Sequence, residues 1–146
     1  MALSPATLAG VPAMNDAVGR SALSAKVREQ LALAIAGENG CDYCASTHGA
    51  IGRMSGLDEE EVARNLAGDD TDPNARAPLS LASSIVIARG RVTPAEIEEA
   101  RDAGVTDAEF VDVVAAVSIN TMTNYLNHIA ETEIDIPDIR TAEAVS

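Results

Sequence analysis

Two cysteines separated by two residues, Cys41-Asp42-Tyr43-Cys44, are followed after three residues by His48 and preceded by Glu29. On a helix of 3.6 residues per turn, Cys41, Cys44 and His48 fall within about 60° of one another, so this spacing places two thiols and an imidazole on one face. Ala45 and Gly52 share that face and let a neighbouring helix or a substrate approach the sulfurs, whereas Asp42, Ser46 and Arg53 lie on a separate polar arc. A thiol reacts as its thiolate, and an unperturbed cysteine is mostly protonated at neutral pH. Cys41 stands at the helix start, where unpaired N–H groups favour an anion, while His48, one turn beyond Cys44, can take or relay that thiol's proton. The pair can also close a disulfide with little backbone movement.

Glu29 admits two readings. Its neighbours at i−4, i+3, i+4 and i+7 are Ala25, Ala32, Leu33 and Ala36, and a carboxylate partly buried among them would exchange protons more readily near neutrality. The other reading is an exposed glutamate pairing with Lys26 at i−3.

The elements that must position these groups are all helical. Val27, Leu31, Ala34 and Ile35 recur at helical spacing after Ser24 and before Gly37–Gly40; the cysteine helix follows, from Cys41 to about Ser55, with Gly56 as its stop. Asp58 with Glu61 makes a capping box for a short helix ending near Gly68, and Asp72-Pro73 opens the next, carrying Leu79, Leu81 and Ile85 to Gly90. Thr93 with Glu96, and Thr106 with Glu109, open the last two. Met14, Met54 and Met122 read as core filler, and His128 is given no role. No segment alternates as a strand does. The chain divides into an N-terminal helical segment (1–20), an all-α core domain (21–136) and a loose polar tail (137–146).

Composition narrows the functions. At 146 residues with 47% hydrophobic side chains, the chain is one ordinary domain that folds without a metal or disulfide staple. With aromatics at 2%, its core must be Ala, Val, Leu and Ile, which suits close-packed helices. A net charge of −13, with Lys26 the only lysine, argues against nucleic-acid and lipid partners. With neither a leader nor a membrane span in the sequence, the expected compartment is the reducing cytoplasm, where a close cysteine pair points to redox chemistry or metal rather than a structural bridge.

Glu29, eleven residues, Cys41-Asp42-Tyr43-Cys44, three residues and His48 together resemble the core motif of AhpD-type alkylhydroperoxidases, within the carboxymuconolactone decarboxylase superfamily. The likeness continues through Gly56-Leu57-Asp58 to Asn124-Tyr125-Leu126-Asn127-His128. It implies an all-helical homo-oligomer, a trimer or hexamer, that needs no cofactor and no metal and reduces a hydroperoxide at the expense of a thiol or dithiol reductant. By position, Cys44 would attack the peroxide, Cys41 would resolve the sulfenic acid, and Glu29 and His48 would relay protons. One departure stands out: the AhpD pattern has His immediately before the second cysteine, where this chain has Tyr43.

Two physical arguments bear on those roles. The helix dipole favours a thiolate at Cys41 by about 0.3–1 kcal/mol. A positioned base beside Cys44 contributes roughly 3–5 kcal/mol to the rate, which makes Cys44 the attacking sulfur and Cys41, nearer the helix start and expected to be more exposed, the one that meets the reductant. Competing readings are a zinc site on Cys41, Cys44, His48 and His128, disfavoured because structural zinc usually takes its CxxC from a turn; a non-redox lyase or isomerase of the decarboxylase branch using Glu29 and His48; and a helical oligomeric binding protein without turnover.

Overall fold

The computed structural model describes residues 4–136 and 139–141. Among them every regular element is a helix: α1 (Pro5–Gly19), α2 (Ala25–Asn39), α3 (Asp42–Met54), α4 (Glu59–Leu66), α5 (Pro73–Ile87), α6 (Pro94–Asp102) and α7 (Asp107–Ala130). Each starts where the sequence supplies a side-chain acceptor for an orphan N–H. Ser24 caps α2 and Asp72 caps α5, while Asp58/Glu61, Thr93/Glu96 and Thr106/Glu109 form reciprocal capping boxes on α4, α6 and α7. Each such cap is worth about 1 kcal/mol.

The organising element is α2. Gln30 through Ala36 are buried without interruption, the pattern of a helix surrounded on all sides, and α2 packs against α3, α4, α5 and α7. The main core gathers Leu31 and Ile35 of α2, Leu79 and Ala82 of α5, and Val113 and Ala116 of α7. Small residues set the closest approaches. A Cβ on Gly37 would run into the backbone carbonyl of Leu66, so glycine is what brings α4 down onto α2.

One buried polar knot ties α2, α4 and the start of α5 together. Asp70, 2% exposed, accepts from Gln30 Nε2 (2.8 Å), Asn65 Nδ2 (2.7 Å) and the Asp72 N–H (2.8 Å). Burial pushes this carboxyl up, but the hydrogen bonds from Asp72 and Asn65 and the charges of Arg64 and Lys26 together hold it below the ordinary 3.8.

The methionines depart from expectation. Met14 and Met122 are 38% exposed and Met54 is 88% exposed, so none fills the core, which is built of Ala, Val, Leu and Ile. Of the tail, Ile139 to Thr141 lie against α3, and residues 137–138 and 142–146 fall outside the described residues. Among the described residues no helix is long and apolar enough to cross a membrane.

Candidate active site

The cysteine pair sits where α2 turns into α3. Gly40 closes α2 with φ +66°, a left-handed conformation that costs glycine nothing. The N–H of Cys41 then folds back to the Ala36 carbonyl at 2.9 Å. That turn makes Cys41 the N-cap of α3, its Sγ accepting from the Cys44 N–H at 3.3 Å. Cys41 and Cys44 are joined as a disulfide with their Cα atoms 5.3 Å apart, within the ordinary bridging range. Both are buried, and the expected difference in exposure is not found: Cys41 is 1% exposed and Cys44 4%. The cap position tucks Cys41 under the end of α2, and Ala36, Tyr43, Leu66 and Ile139 pack around the pair.

The two readings of Glu29 are resolved by the packing of α2 on α3. Lys26 pairs with Glu61 of α4 at 2.7 Å, not with Glu29. Glu29 instead lies 2.9 Å from His48 Nδ1. Near this contact, a Cβ added at Gly52 would run into the Leu57 side chain and would stand at ordinary contact distance, 3.8 Å, from the Glu29 Cβ. Side-chain exposures of 19% for Glu29 and 24% for His48 leave the pair half-buried. With the carboxylate accepting from Nδ1, the neutral ring keeps Nε2 as an acceptor able to exchange a proton. The pair borders a cavity of about 270 Å³ whose lining includes Asn15, Arg28, Ala116 and Asn120 from α1, α2 and α7, but neither cysteine.

Three contacts were not anticipated from the sequence. Ser46, on the arc assigned to the polar side, is fully buried: its Oγ accepts from the Ile139 N–H at 2.7 Å and reaches the Ile139 carbonyl at 3.3 Å. Asp42, beside Cys41, accepts from the Thr141 N–H (2.8 Å) and hydroxyl (2.6 Å) and from Arg140 (3.1 Å). Burial raises the Asp42 carboxyl, and these bonds more than offset it, holding the group below the ordinary 3.8 and therefore ionised. Third, Asn127 of α7 donates from Nδ2 to Cys44 Sγ at 3.3 Å. Long-range signals of this kind leave no trace in local periodicity, although Asn127 lies within the stretch that carries the family resemblance.

His128 is exposed at the end of α7, its ring 6.5 Å from that of Tyr125, and takes no part in the cluster. No group of three or more His, Cys, Asp or Glu side chains among the described residues is placed to hold a metal ion.

Comparison with known proteins finds a family match and two structures of like fold. The carboxymuconolactone decarboxylase family matches residues 5–84. An uncharacterized peroxidase-related protein from Silicibacter sp. TM1040 superposes with a TM-score of 0.78 at 23% identity over 93% of this chain and 72% of that one, a likeness of fold. The alkylhydroperoxidase AhpD core of an uncharacterized peroxidase-related protein from Ralstonia eutropha JMP134 superposes with a TM-score of 0.76 at 28% identity, over 94% of this chain and 73% of that one. No curated protein matches the sequence.

Proposed function

Because this chain belongs to the carboxymuconolactone decarboxylase family and its fold is AhpD-like, we propose that it is a thiol-dependent peroxidase that reduces hydroperoxides through a dithiol–disulfide cycle of Cys41 and Cys44. The observation that carries this reading is the 2.9 Å Glu29–His48 pair held one helical turn beyond a bridged CxxC. In the proposed cycle His48 takes the Cys44 proton. The thiolate attacks the terminal peroxide oxygen, the O–O bond breaks, and the alkoxide leaves as alcohol with the proton returned by the relay. Cys44 is then a sulfenic acid. The Cys41 sulfur displaces its hydroxyl as water, the S–S bond forms, and an external dithiol later returns both electrons by exchange. Several copies of the chain would assemble as a homo-oligomer.

The test is direct. One equivalent of hydroperoxide should remove two free thiols per chain and leave a peptide linking Cys41 to Cys44 in the mass spectrum. Cys41→Ser should form a sulfenic acid trapped by dimedone and Cys44→Ser should not; the opposite pattern reverses the two roles, and thiols that survive peroxide sink the reading.

A second reading draws on the cavity. It touches Glu29 and His48 but neither sulfur, as a non-redox lyase or isomerase of the decarboxylase branch would require. Turnover of a lactone by Cys44→Ser would favour it.

A further inference from the structure

Each sulfur of the pair has its own hydrogen-bond donor, and the donors come from different parts of the fold. Cys41 Sγ takes the Cys44 N–H at 3.3 Å, the ordinary arrangement of a helix cap. Cys44 Sγ takes Asn127 Nδ2, also at 3.3 Å, from the far end of α7. We infer that Asn127 is a catalytic residue, the amide donor that stabilises negative charge on Cys44 Sγ; this rests on the peroxidase reading for its role in turnover, though not for its effect on the thiol.

The amide is aimed rather than incidentally near. Asn127 Oδ1 accepts from the Thr132 hydroxyl at 2.9 Å, so Nδ2 is the end turned toward the sulfur. Thr132 is brought back over the last turn of α7 by Glu131, a left-handed cap at φ +47°, and its own N–H bonds the Asn127 carbonyl at 3.2 Å. One turn earlier the buried Asn124 accepts from Asn39 Nδ2 at 2.8 Å, pinning α7 to the end of α2 just before the cysteines. Apolar side chains from three other segments pack against the cysteine cluster. Ala36 comes from α2, Leu66 from α4 and Ile139 from the C-terminal segment. The titratable groups near Cys44 are Cys41 and Tyr43 in the same stretch, His48 one turn on, and Asp42, which is held by Thr141 and Arg140.

In surroundings this apolar a thiolate at Cys44 is penalised unless a donor faces it. An amide there offsets the advantage the helix start gives to Cys41, and it serves both half-reactions. It holds the Cys44 thiolate before attack on peroxide. When a dithiol reductant attacks Cys41 Sγ, the same amide stabilises Cys44 as the leaving thiolate while the S–S bond breaks.

The experiment is the pH dependence of iodoacetamide alkylation, read by mass, in single-cysteine chains. In Cys41→Ser, Asn127→Ala should raise the alkylation midpoint of Cys44 by about one pH unit. Asn127→Asp, of the same shape but with a carboxylate in place of the donor, should raise it further. In Cys44→Ser, Asn127→Ala should leave the midpoint of Cys41 in place, and Asn127→Asp should move it by less than it moves that of Cys44. Circular dichroism checks that each variant is folded. A Cys44 midpoint that stays put in both variants, or equal shifts at both cysteines, overturns the inference. Alkylation consumes no peroxide, so the two proposals separate: thiols inert to peroxide with a shifted Cys44 midpoint remove the peroxidase reading and keep this one. Peroxide-reactive thiols with an unmoved midpoint do the reverse.

Discussion

At the scale of single residues, the Glu29–His48 contact at 2.9 Å is the feature most open to test. The carboxylate fixes the ring through Nδ1, so loss of the imidazole should cost more than loss of the charge that orients it. We expect His48→Asn to slow formation of the Cys44 sulfenic acid by about 10²–10⁴-fold, the usual contribution of a positioned base, and Glu29→Gln to slow it by less. Stopped-flow oxidation with excess hydroperoxide, alongside unchanged far-ultraviolet circular dichroism, measures both. A His48→Asn chain that oxidises at the wild-type rate would exclude the relay. The near-equal burial of Cys41 and Cys44 adds a constraint: a reductant that attacks Cys41 has to displace part of the cover made by Tyr43 and Ile139.

At the scale of elements, two features of α2 carry predictions. Gly37 lets α4 approach until an added methyl would meet the Leu66 carbonyl, a backbone atom with no rotamer to yield. Gly37→Ala gains helix propensity of about 1 kcal/mol, but it overpacks the α2–α4 contact at a cost of about 1–3 kcal/mol or more. The urea midpoint should therefore fall; a rise would mean that α4 shifts freely. The Asp70 knot joins the same two helices to α5 and should appear in the acid limb of the stability curve. Its carboxyl is held below 3.8 in the folded chain, so the unfolded state binds the proton more readily. The stabilisation is then present above about pH 3.8 and is lost as pH falls through the lower folded value. The capping carboxylates Glu96 and Glu109, held down chiefly by Thr93 and Thr106 from an ordinary 4.5, act in the same direction. Asp70→Asn should be less stable than wild type near neutrality, and the gap should narrow as pH falls below 3.8 and through the lower folded value, where wild-type Asp70 takes up its proton. A gap that stays constant with pH would show that the knot works by shape alone.

At the scale of the whole molecule, the exposed surface is unevenly apolar. Val111 (66% exposed), Val114 (42%), Met122 (38%), Tyr125 (55%) and Ile129 (83%) recur every three to eight residues along α7, with Ile87 (69%) on α5. A row of this kind on a single chain usually marks a protein interface. A homo-oligomer would bury it, so light scattering at micromolar concentration should return a multiple of 15.1 kDa. Val114→Glu with Tyr125→Glu should shift the mass toward one chain while helicity is kept. Because each copy carries a net charge of −13, self-repulsion opposes assembly and salt should strengthen it. A wild-type mass of one chain under all these conditions would remove the oligomer from the proposal.

Features that depend on near neighbours were legible in the order of residues alone. Helix starts are set by a side chain reaching an N–H three residues on, so Ser24, Asp58, Asp72, Thr93 and Thr106 were readable as caps and the all-α class followed. The placing of Cys41, Cys44 and His48 on one helix is a matter of period alone. Tertiary structure decided everything that needs two segments at once. Whether Glu29 faces Lys26 or His48 depends on how α3 and α4 pack on α2, and a helical wheel holds no such distance. The burial of Ser46 depends on a strand of chain more than ninety residues away, docked through Ile139. The methionines sit outside because other apolar residues of the same helices face the core, a choice that hydropathy alone does not make. Asn127 meets Cys44 through the packing of α7 on the rest of the fold, which includes its tie at Asn124 and its cap at Glu131. Local hydrogen bonding is encoded in spacing, whereas the approach of one helix to another is a cooperative outcome of the packed core.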